Sequence, residues 1–170
     1  SPSFRKRLTE ACLKEGFHPK ITHESDRLPG ILARPKGPSG LKSAFMSDLF
    51  HALRAGEPFI CPVSADGTIW AQSLDQVASN FLHALSLDVN LLPPTRAVTL
   101  PALRLTMGEL AAEIARQCGV SRELVRYEPD LALEAAFATQ PPLLTSAAQK
   151  AGFAHDGDVA TLVANGLRTL

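Results

Sequence analysis

The architecture can be followed outward from the stretch Arg27-Leu-Pro-Gly-Ile-Leu-Ala-Arg-Pro35. Within it, Ile31–Ala33 is a short apolar run between two prolines, which predicts a buried strand. A Gly- and Pro-containing loop follows, and then Leu41–Ala55 has the spacing of an amphipathic helix that Gly56 terminates. The residues expected on its buried face are Leu41, Phe45, Leu49, Ala52 and Leu53.

Two short strands are predicted next, at Phe59–Val63 and Thr68–Ala71. The Asp66-Gly67 pair between them is a turn signal, so the two strands are expected to form a hairpin. Ser73-Leu-Asp-Gln76 then has the form of a capping box and opens a helix over Leu74–Leu87. That helix is expected to bury Val77, Ala78, Phe81, Leu82 and Leu85.

The rest of the chain continues the alternation. Arg96–Leu100 is predicted as a strand, and Thr106-Met-Gly-Glu109 as a second capping box that opens a helix to about Cys118. Leu124–Tyr127 is predicted as one more short strand. Alternating strands and helices indicate an α/β fold. Further helices are predicted at Phe4–Glu15, Leu131–Ala138, Ser146–Ala151 and Val159–Leu167.

Composition argues against several classes of protein. Lys+Arg and Asp+Glu number 17 each among 170 residues, so the net charge is zero. This argues against a surface built for nucleic acid or for an anionic membrane. No run reaches the roughly 18 to 20 apolar residues of a membrane span. The three cysteines and five histidines form no C-x-x-C or H-x-x-x-H pair, so no metal site is predicted. The cysteines are expected to be free thiols in a reducing cytoplasm.

Four stretches, in order and spacing, resemble a known family. They are residues 27–35, the strand Cys61-Pro-Val63 leading to Ile69-Trp-Ala-Gln-Ser73, the helix Leu74–Leu87, and Arg96-Ala-Val-Thr-Leu-Pro101 followed by Thr106-Met-Gly-Glu-Leu110. Together they resemble the extended short-chain dehydrogenase/reductase superfamily, in its NAD-dependent epimerase/dehydratase branch of the D-erythronate dehydrogenase type. The resemblance covers residues 26–170. It implies the carboxyl-terminal, substrate-binding part of an α/β fold, with short strands and amphipathic helices and without a complete Rossmann nucleotide domain.

The resemblance also implies site residues. Contacts with the nicotinamide of NAD are expected from Leu28, Pro29, Gly30 and Ile31. Contacts with a small sugar-acid or polyol substrate are expected from Arg34, Ser43, Phe45, Trp70, Ser73 and Arg96. An arginine fork matches a carboxylate or a diphosphate. Structural alternatives stay open: the prolines bracket a strand, the tryptophan packs a hairpin, the arginines form ion pairs and the serine before Leu74 caps a helix.

Two features of this superfamily's chemistry are missing from the sequence. There is no G-x-G-x-x-G turn for a dinucleotide pyrophosphate. There is also no Tyr-x-x-x-Lys pair, because the one tyrosine, Tyr127, is followed four residues later by Leu131. No catalytic residue is therefore predicted, and hydride transfer and firm NAD binding are not expected of this chain alone. Residues 1–25 are similar instead to a segment of LysR-type effector-binding domains, which would imply a fusion or a truncated or rearranged gene.

Three functions remain as hypotheses. The first is the substrate-binding portion of an NAD-dependent oxidoreductase, and the second is a non-catalytic binding or assembly module. The third is a LysR-type effector-binding fragment. Since the parent family packs this half against a nucleotide-binding half, apolar surface is expected to be exposed here. The chain is then expected to form homo-oligomers, to pair with such a half, or to cover the surface with Phe4–Glu15.

Overall fold

The computed structural model describes residues 29–35, 41–92 and 98–170. The predicted helix Phe4–Glu15, the boundary at residues 25 and 26, and the site residues Leu28 and Arg96 lie outside the described residues. The described part is a mixed α/β fold, as predicted. Its strands are β1 Gly30–Leu32, β2 Phe59–Cys61, β3 Thr68–Ser73, β4 Leu103–Thr106 and β5 Val125–Tyr127. Its α-helices are α1 Phe45–Ala55, α2 Leu74–Ser86, α3 Met107–Cys118, α4 Leu131–Phe137, α5 Ser146–Lys150 and α6 Val159–Thr169.

Strand β3 is the centre of a three-stranded sheet. It pairs in parallel with β1, with Ile31 opposite Gln72, and antiparallel with β4 on its other side. The contact with β1 is close, because a Cβ added at Gly30 would lie 2.8 Å from the Trp70 carbonyl oxygen. Glycine therefore has a steric reason to occupy this position.

The predicted hairpin is wrong. Strand β2 does not pair with β3; it pairs in parallel with β5 in a separate two-stranded sheet. Both edges of β3 are already taken by β1 and β4, so no edge is left for β2. The Asp66-Gly67 turn does form, with the Gly67 N–H donating to the Ser64 carbonyl at 3.1 Å. It packs against the end of α4 and redirects the chain from one sheet to the other.

The strand predicted at Arg96–Leu100 is also displaced. Residues 98–100 have no regular structure, residues 96 and 97 lie outside the described residues, and the strand that pairs with β3 is Leu103–Thr106. The apolar residues before it serve another purpose. Leu100 packs in a small second core with Ala148, Ala151 and Phe153. Alternation in this segment therefore reflects contacts with a neighbouring loop and not a β-ladder.

The main core lies between the sheet and the three helices α1, α3 and α6. The capping box at Thr106 and Glu109 is confirmed, with both reciprocal hydrogen bonds present and Gly119 ending α3 at φ 69°. Leu41, expected to be buried, is 53% exposed. A 3₁₀ turn over Lys42–Ala44 precedes α1, and Leu41 stands before that turn in extended backbone, so it is not on the buried face of the helix.

Helix α2 buries less than predicted. Val77 is fully buried, but Leu82 is 66% exposed and the other predicted core residues of this helix are only half-buried. In the described part of the chain, α2 packs mainly on α6, so one side of its apolar stripe faces away from the core. None of the described helices has the length and apolar character of a membrane-spanning segment.

Candidate functional site

An open cavity of about 440 Å³ lies between β1, β3 and α4. Pro29, Gly30, Ile31 and Arg34 line it from β1 and the turn that follows. The opposite walls are formed by Ser43 and Met46 near the start of α1, by Ile69 and Trp70 of β3, and by Ala136, Phe137 and Gln140 at the end of α4. The cavity thus combines an apolar interior with one cation and a few neutral polar groups, the usual composition of a small-molecule site.

Arg34 is placed in the cavity by a strained turn. The preceding Ala33 has φ 52°, in the left-handed region that costs an L-residue roughly 1–2 kcal/mol. Ala33 is fully buried, and a Cβ added at Gly166 of α6 would lie 3.0 Å from the Ala33 Cβ. Close packing against α6 therefore imposes the turn, and backbone strain of this kind is concentrated at functional sites.

Three hydrogen bonds join Arg34 to α1. Its N–H and its Nε–H both donate to Ser47 Oγ, at 3.3 and 3.4 Å. Its carbonyl oxygen lies 2.8 Å from His51 Nε2. The partner of this histidine is therefore main chain and not a side chain. In the described residues, no carboxylate pairs with Arg34.

Trp70 and Gln140 form the wall next to α4. The indole Nε1–H of Trp70 donates to the Pro141 carbonyl at 2.8 Å, which fixes the ring against the chain that leaves α4. The Gln140 carbonyl accepts from Thr68 Oγ1 at 2.9 Å and from Arg104 Nε at 2.8 Å. Both residues are therefore held from the side facing away from the cavity.

Two predicted substrate residues lie outside this cavity lining. Phe45 is buried and packs edge-on against Phe137, with ring centroids 6.3 Å apart, so it supports the wall from behind. Ser73 is fully buried and caps α2 by accepting from the Gln76 N–H at 3.1 Å. Since Trp70 and Ser73 are three residues apart on one strand, they project to opposite faces. Leu28 and Arg96 lie outside the described residues.

Sequence reasoning did not find the α4 side of the cavity. The turn at Gly67 and a β-bridge between Thr68 and Thr139 bring three residues to the cavity: Ala136, Phe137 and Gln140. No local sequence pattern predicts this long-range bridge. Met46 could have been found, because it lies one helical turn after Ser43. The structure therefore adds a wall that the sequence left unassigned.

Tyr127 and Cys61, both in the two-stranded sheet, lie outside the cavity lining and have raised pKa values. Tyr127 lies on β5 in the other sheet, and burial, with a smaller contribution from Cys61, raises the pKa of its phenol. A phenol that serves as a base needs the opposite shift. Burial also raises the pKa of the Cys61 thiol. Among the described residues, no three His, Cys, Asp or Glu side chains are grouped to hold a metal ion.

Comparisons with known proteins give a consistent result. No protein-family model matches the chain. D-erythronate dehydrogenase from Haemophilus influenzae is 30% identical over 116 residues, which span 68% of this chain and 37% of that protein. A nucleoside-diphosphate-sugar epimerase structure from Agrobacterium tumefaciens superposes with a TM-score of 0.70 and 24% identity, covering 80% of this chain and 40% of the other.

A GalE-like L-threonine dehydrogenase from Cupriavidus necator gives a similar superposition. The TM-score is 0.70 at 23% identity, over 84% of this chain and 51% of that one. The chain thus spans about half or less of the length of each protein that it matches. The likeness to both structures concerns the fold.

Proposed function

Because the chain is a homologue of part of the extended short-chain dehydrogenases, in their epimerase/dehydratase branch, we propose that it forms the substrate-binding portion of an NAD-dependent oxidoreductase. The substrate proposed is a small sugar acid or a related polyol, and residues 26–170 are proposed as the substrate half. The observation that carries the proposal is the cavity. Six of the residues expected from the resemblance line it together: Pro29, Gly30, Ile31, Arg34, Ser43 and Trp70.

The described residues fit one end of the cofactor. Pro29, Gly30 and Ile31 offer backbone and apolar surface, and the absence of a side chain at Gly30 leaves room beside Met46, whose Sδ would lie 3.5 Å from an added Cβ. Such a surface suits the flat face of a nicotinamide ring, which accepts or donates hydride when bound. We propose that a nucleotide-binding half supplies the contacts for the pyrophosphate and the adenosine.

Each wall of the cavity has a task in this proposal. Arg34 binds a carboxylate, Ser43 and the Gln140 amide bind hydroxyl groups, and Trp70 with Phe137 excludes water from one side of the substrate. No described residue is assigned the proton transfer, since Tyr127 lies in the other sheet with a raised pKa. Catalysis by the 170-residue chain alone is therefore not part of the proposal.

Fluorescence of Trp70 provides the test, because it is the only tryptophan of the chain and it lines the cavity. The full chain would be titrated with a four-carbon sugar acid, with the matching polyol and with NAD, and its melting followed in parallel. A ligand at 100 times its Kd should stabilise the fold by about 2.7 kcal/mol. An Ala136→Phe variant, which fills the cavity, should abolish the change, whereas Ser79→Ala on α2 should leave it intact.

A second candidate function, a non-catalytic binding or assembly module, is favoured by one observation. Leu82 on α2 and Leu91 in the following turn are 66% and 58% exposed, more than apolar residues of a core-facing helix usually are. If neither the sugar acid, the polyol nor NAD changed Trp70 fluorescence while the chain associated with increasing concentration in light scattering, the assembly function would be preferred. The LysR-type alternative rests on residues 1–25, which lie outside the described residues, and is not proposed.

A further inference from the structure

We infer that Ser47 and His51 are positioning residues that present Arg34 end-on, and that this makes the cavity select a carboxylate over a neutral polyol of the same length. The inference rests on the proposed function, because it concerns the ligand of the same cavity. It adds two residues of α1 that the sequence analysis did not assign to the site, and a ligand preference that can be measured as a ratio of dissociation constants.

The main-chain N–H and carbonyl of Arg34 both form hydrogen bonds with side chains on one face of α1. Ser47 and His51 are four residues apart in α1 and so lie one turn above each other. Ser47 Oγ accepts from the Arg34 N–H at 3.3 Å, and His51 Nε2 lies 2.8 Å from the Arg34 carbonyl oxygen. The strained Ala33 fixes the approach of the chain. The Cα of Arg34 is therefore held by contacts that do not involve its charge.

The same serine also accepts a hydrogen bond from one edge of the guanidinium. Arg34 Nε lies 3.4 Å from Ser47 Oγ, and Ser47 is only 4% exposed, so water has little access to replace this contact. An arginine can bind a carboxylate through Nε and one terminal nitrogen, or through both terminal nitrogens. With Nε engaged, the second arrangement remains, and the terminal nitrogens have no hydrogen-bond partner among the described residues.

The surroundings strengthen this preference. The cavity walls beside Arg34 include Met46, Ile31 and Phe137, and none of the described residues that line it is acidic. A charge interaction in such a partly apolar site is stronger than in water. A carboxylate can therefore accept two hydrogen bonds from the guanidinium and is also attracted by its positive charge. A terminal hydroxyl can form only one ordinary hydrogen bond with it.

The test compares dissociation constants of the full chain for a four-carbon sugar acid and for the polyol of the same length, using Trp70 fluorescence. The acid should bind about tenfold more tightly or better, the difference expected between charged and neutral hydrogen bonds. In Ser47→Ala and in Arg34→Lys, this ratio should fall to about two or less, because the acid loses more affinity than the polyol does. Ser79→Ala, which removes an exposed hydroxyl bonded to the Asp75 carbonyl, is the matched control.

The outcomes separate the two proposals. If neither ligand binds, the proposed function fails and this inference with it. If both bind with equal affinity, the proposed function stands and the inference is overturned. A ratio unchanged by Ser47→Ala also overturns it. Should Ser47→Ala lower the melting temperature strongly, Arg34→Lys and His51→Gln decide the matter, because both keep a polar group of similar size, and an unchanged ratio in both would refute the inference.

Discussion

Replacing Asp156 by alanine should destabilise this fold by about 3 kcal/mol. Asp156 lies in the loop before α6, is 6% exposed and joins that loop to the start of α2. Its Oδ2 accepts from the Ser73 N–H at 2.9 Å, and its Oδ1 accepts from Ser73 Oγ at 2.5 Å and from Asn165 Nδ2 at 2.9 Å. In a reciprocal capping box the Gln76 side chain would accept from the Ser73 N–H; here Asp156 accepts from it instead.

The magnitude follows from the donors that the substitution leaves behind. Ser73 is 0% exposed, so both its N–H and its hydroxyl would be buried without this acceptor. A buried donor that loses its partner costs about 1–3 kcal/mol, and two at about 1.5 kcal/mol give the total of about 3 kcal/mol. Asn165 is half-buried and keeps its contact with Arg168, so it adds little.

Urea denaturation monitored by Trp70 fluorescence would measure the free energy of unfolding. Asp156→Asn keeps one acceptor but sets an amide N–H₂ against a donor, and about half of the loss is expected. The control is Asp158→Ala, two residues away, because Asp158 caps α6 by accepting from the Thr161 N–H, which is exposed, and should matter less. A loss below about 1 kcal/mol for Asp156→Ala, or equal losses at both aspartates, would refute the reasoning.

Three further predictions rest on separate features. Gly30→Ala should cost about 2 kcal/mol in urea denaturation and weaken ligand binding, because its Cβ would lie 2.8 Å from the Trp70 carbonyl oxygen; full stability would contradict this. Gly119→Ala should cost about 1 kcal/mol, since φ is 69° and an added Cβ meets no atom within 4 Å; a larger loss would imply a contact that the structure does not show. The Arg116 guanidinium lowers the pKa of Glu113 to about 2, so stability that is present above the ordinary carboxyl pKa should be lost as pH falls from about 4.5 to about 2. In Glu113→Gln, the fall in melting temperature between pH 5 and pH 2.5 should be smaller than in the unmodified protein. An equal fall in both proteins would contradict this prediction.

Features that depend on three or four neighbouring residues were predictable from the sequence. The capping box at Thr106 and Glu109 and the helix stop at Gly119 formed as expected, because both ends of each contact lie within one helical turn. The Ser73 cap was half right for the same reason. Its hydroxyl accepts from the Gln76 N–H, but its own N–H is satisfied by Asp156, far along the chain.

Features that depend on distant pairing were not predictable. The turn at Asp66-Gly67 was recognised correctly, yet β2 pairs with β5, whose residues follow more than sixty positions later. The same limit explains α2, where the apolar spacing was right and the exposure of Leu82 was not foreseen. Helical periodicity defines a stripe, but only the neighbouring elements determine which part of the stripe is covered.

The candidate site shows the same division. The β1 side of the cavity came from a resemblance carried by contiguous residues, whereas the α4 side depends on two anchors that join remote segments. In the middle of α4, the Glu134 carboxylate accepts from the Ser64 N–H at 2.7 Å and from the Ser64 hydroxyl. Beyond the end of α4, the Gln140 carbonyl accepts from Thr68 and Arg104.

These anchors leave the Ala136 side chain, which faces the cavity, with no part in holding the fold. Ala136 is exposed to the cavity and Phe137 contributes mainly its ring contact with Phe45, so neither is tied by the hydrogen bonds that fix the helix. A substitution at Ala136 should therefore change which ligand fits without much loss of stability. A substitution at Phe137 would also remove its packing against Phe45, and substitutions at Glu134 should move the whole wall. Ligand preference and fold stability are thus separated along one short helix, and ligand preference is the property that can diverge while the fold is retained.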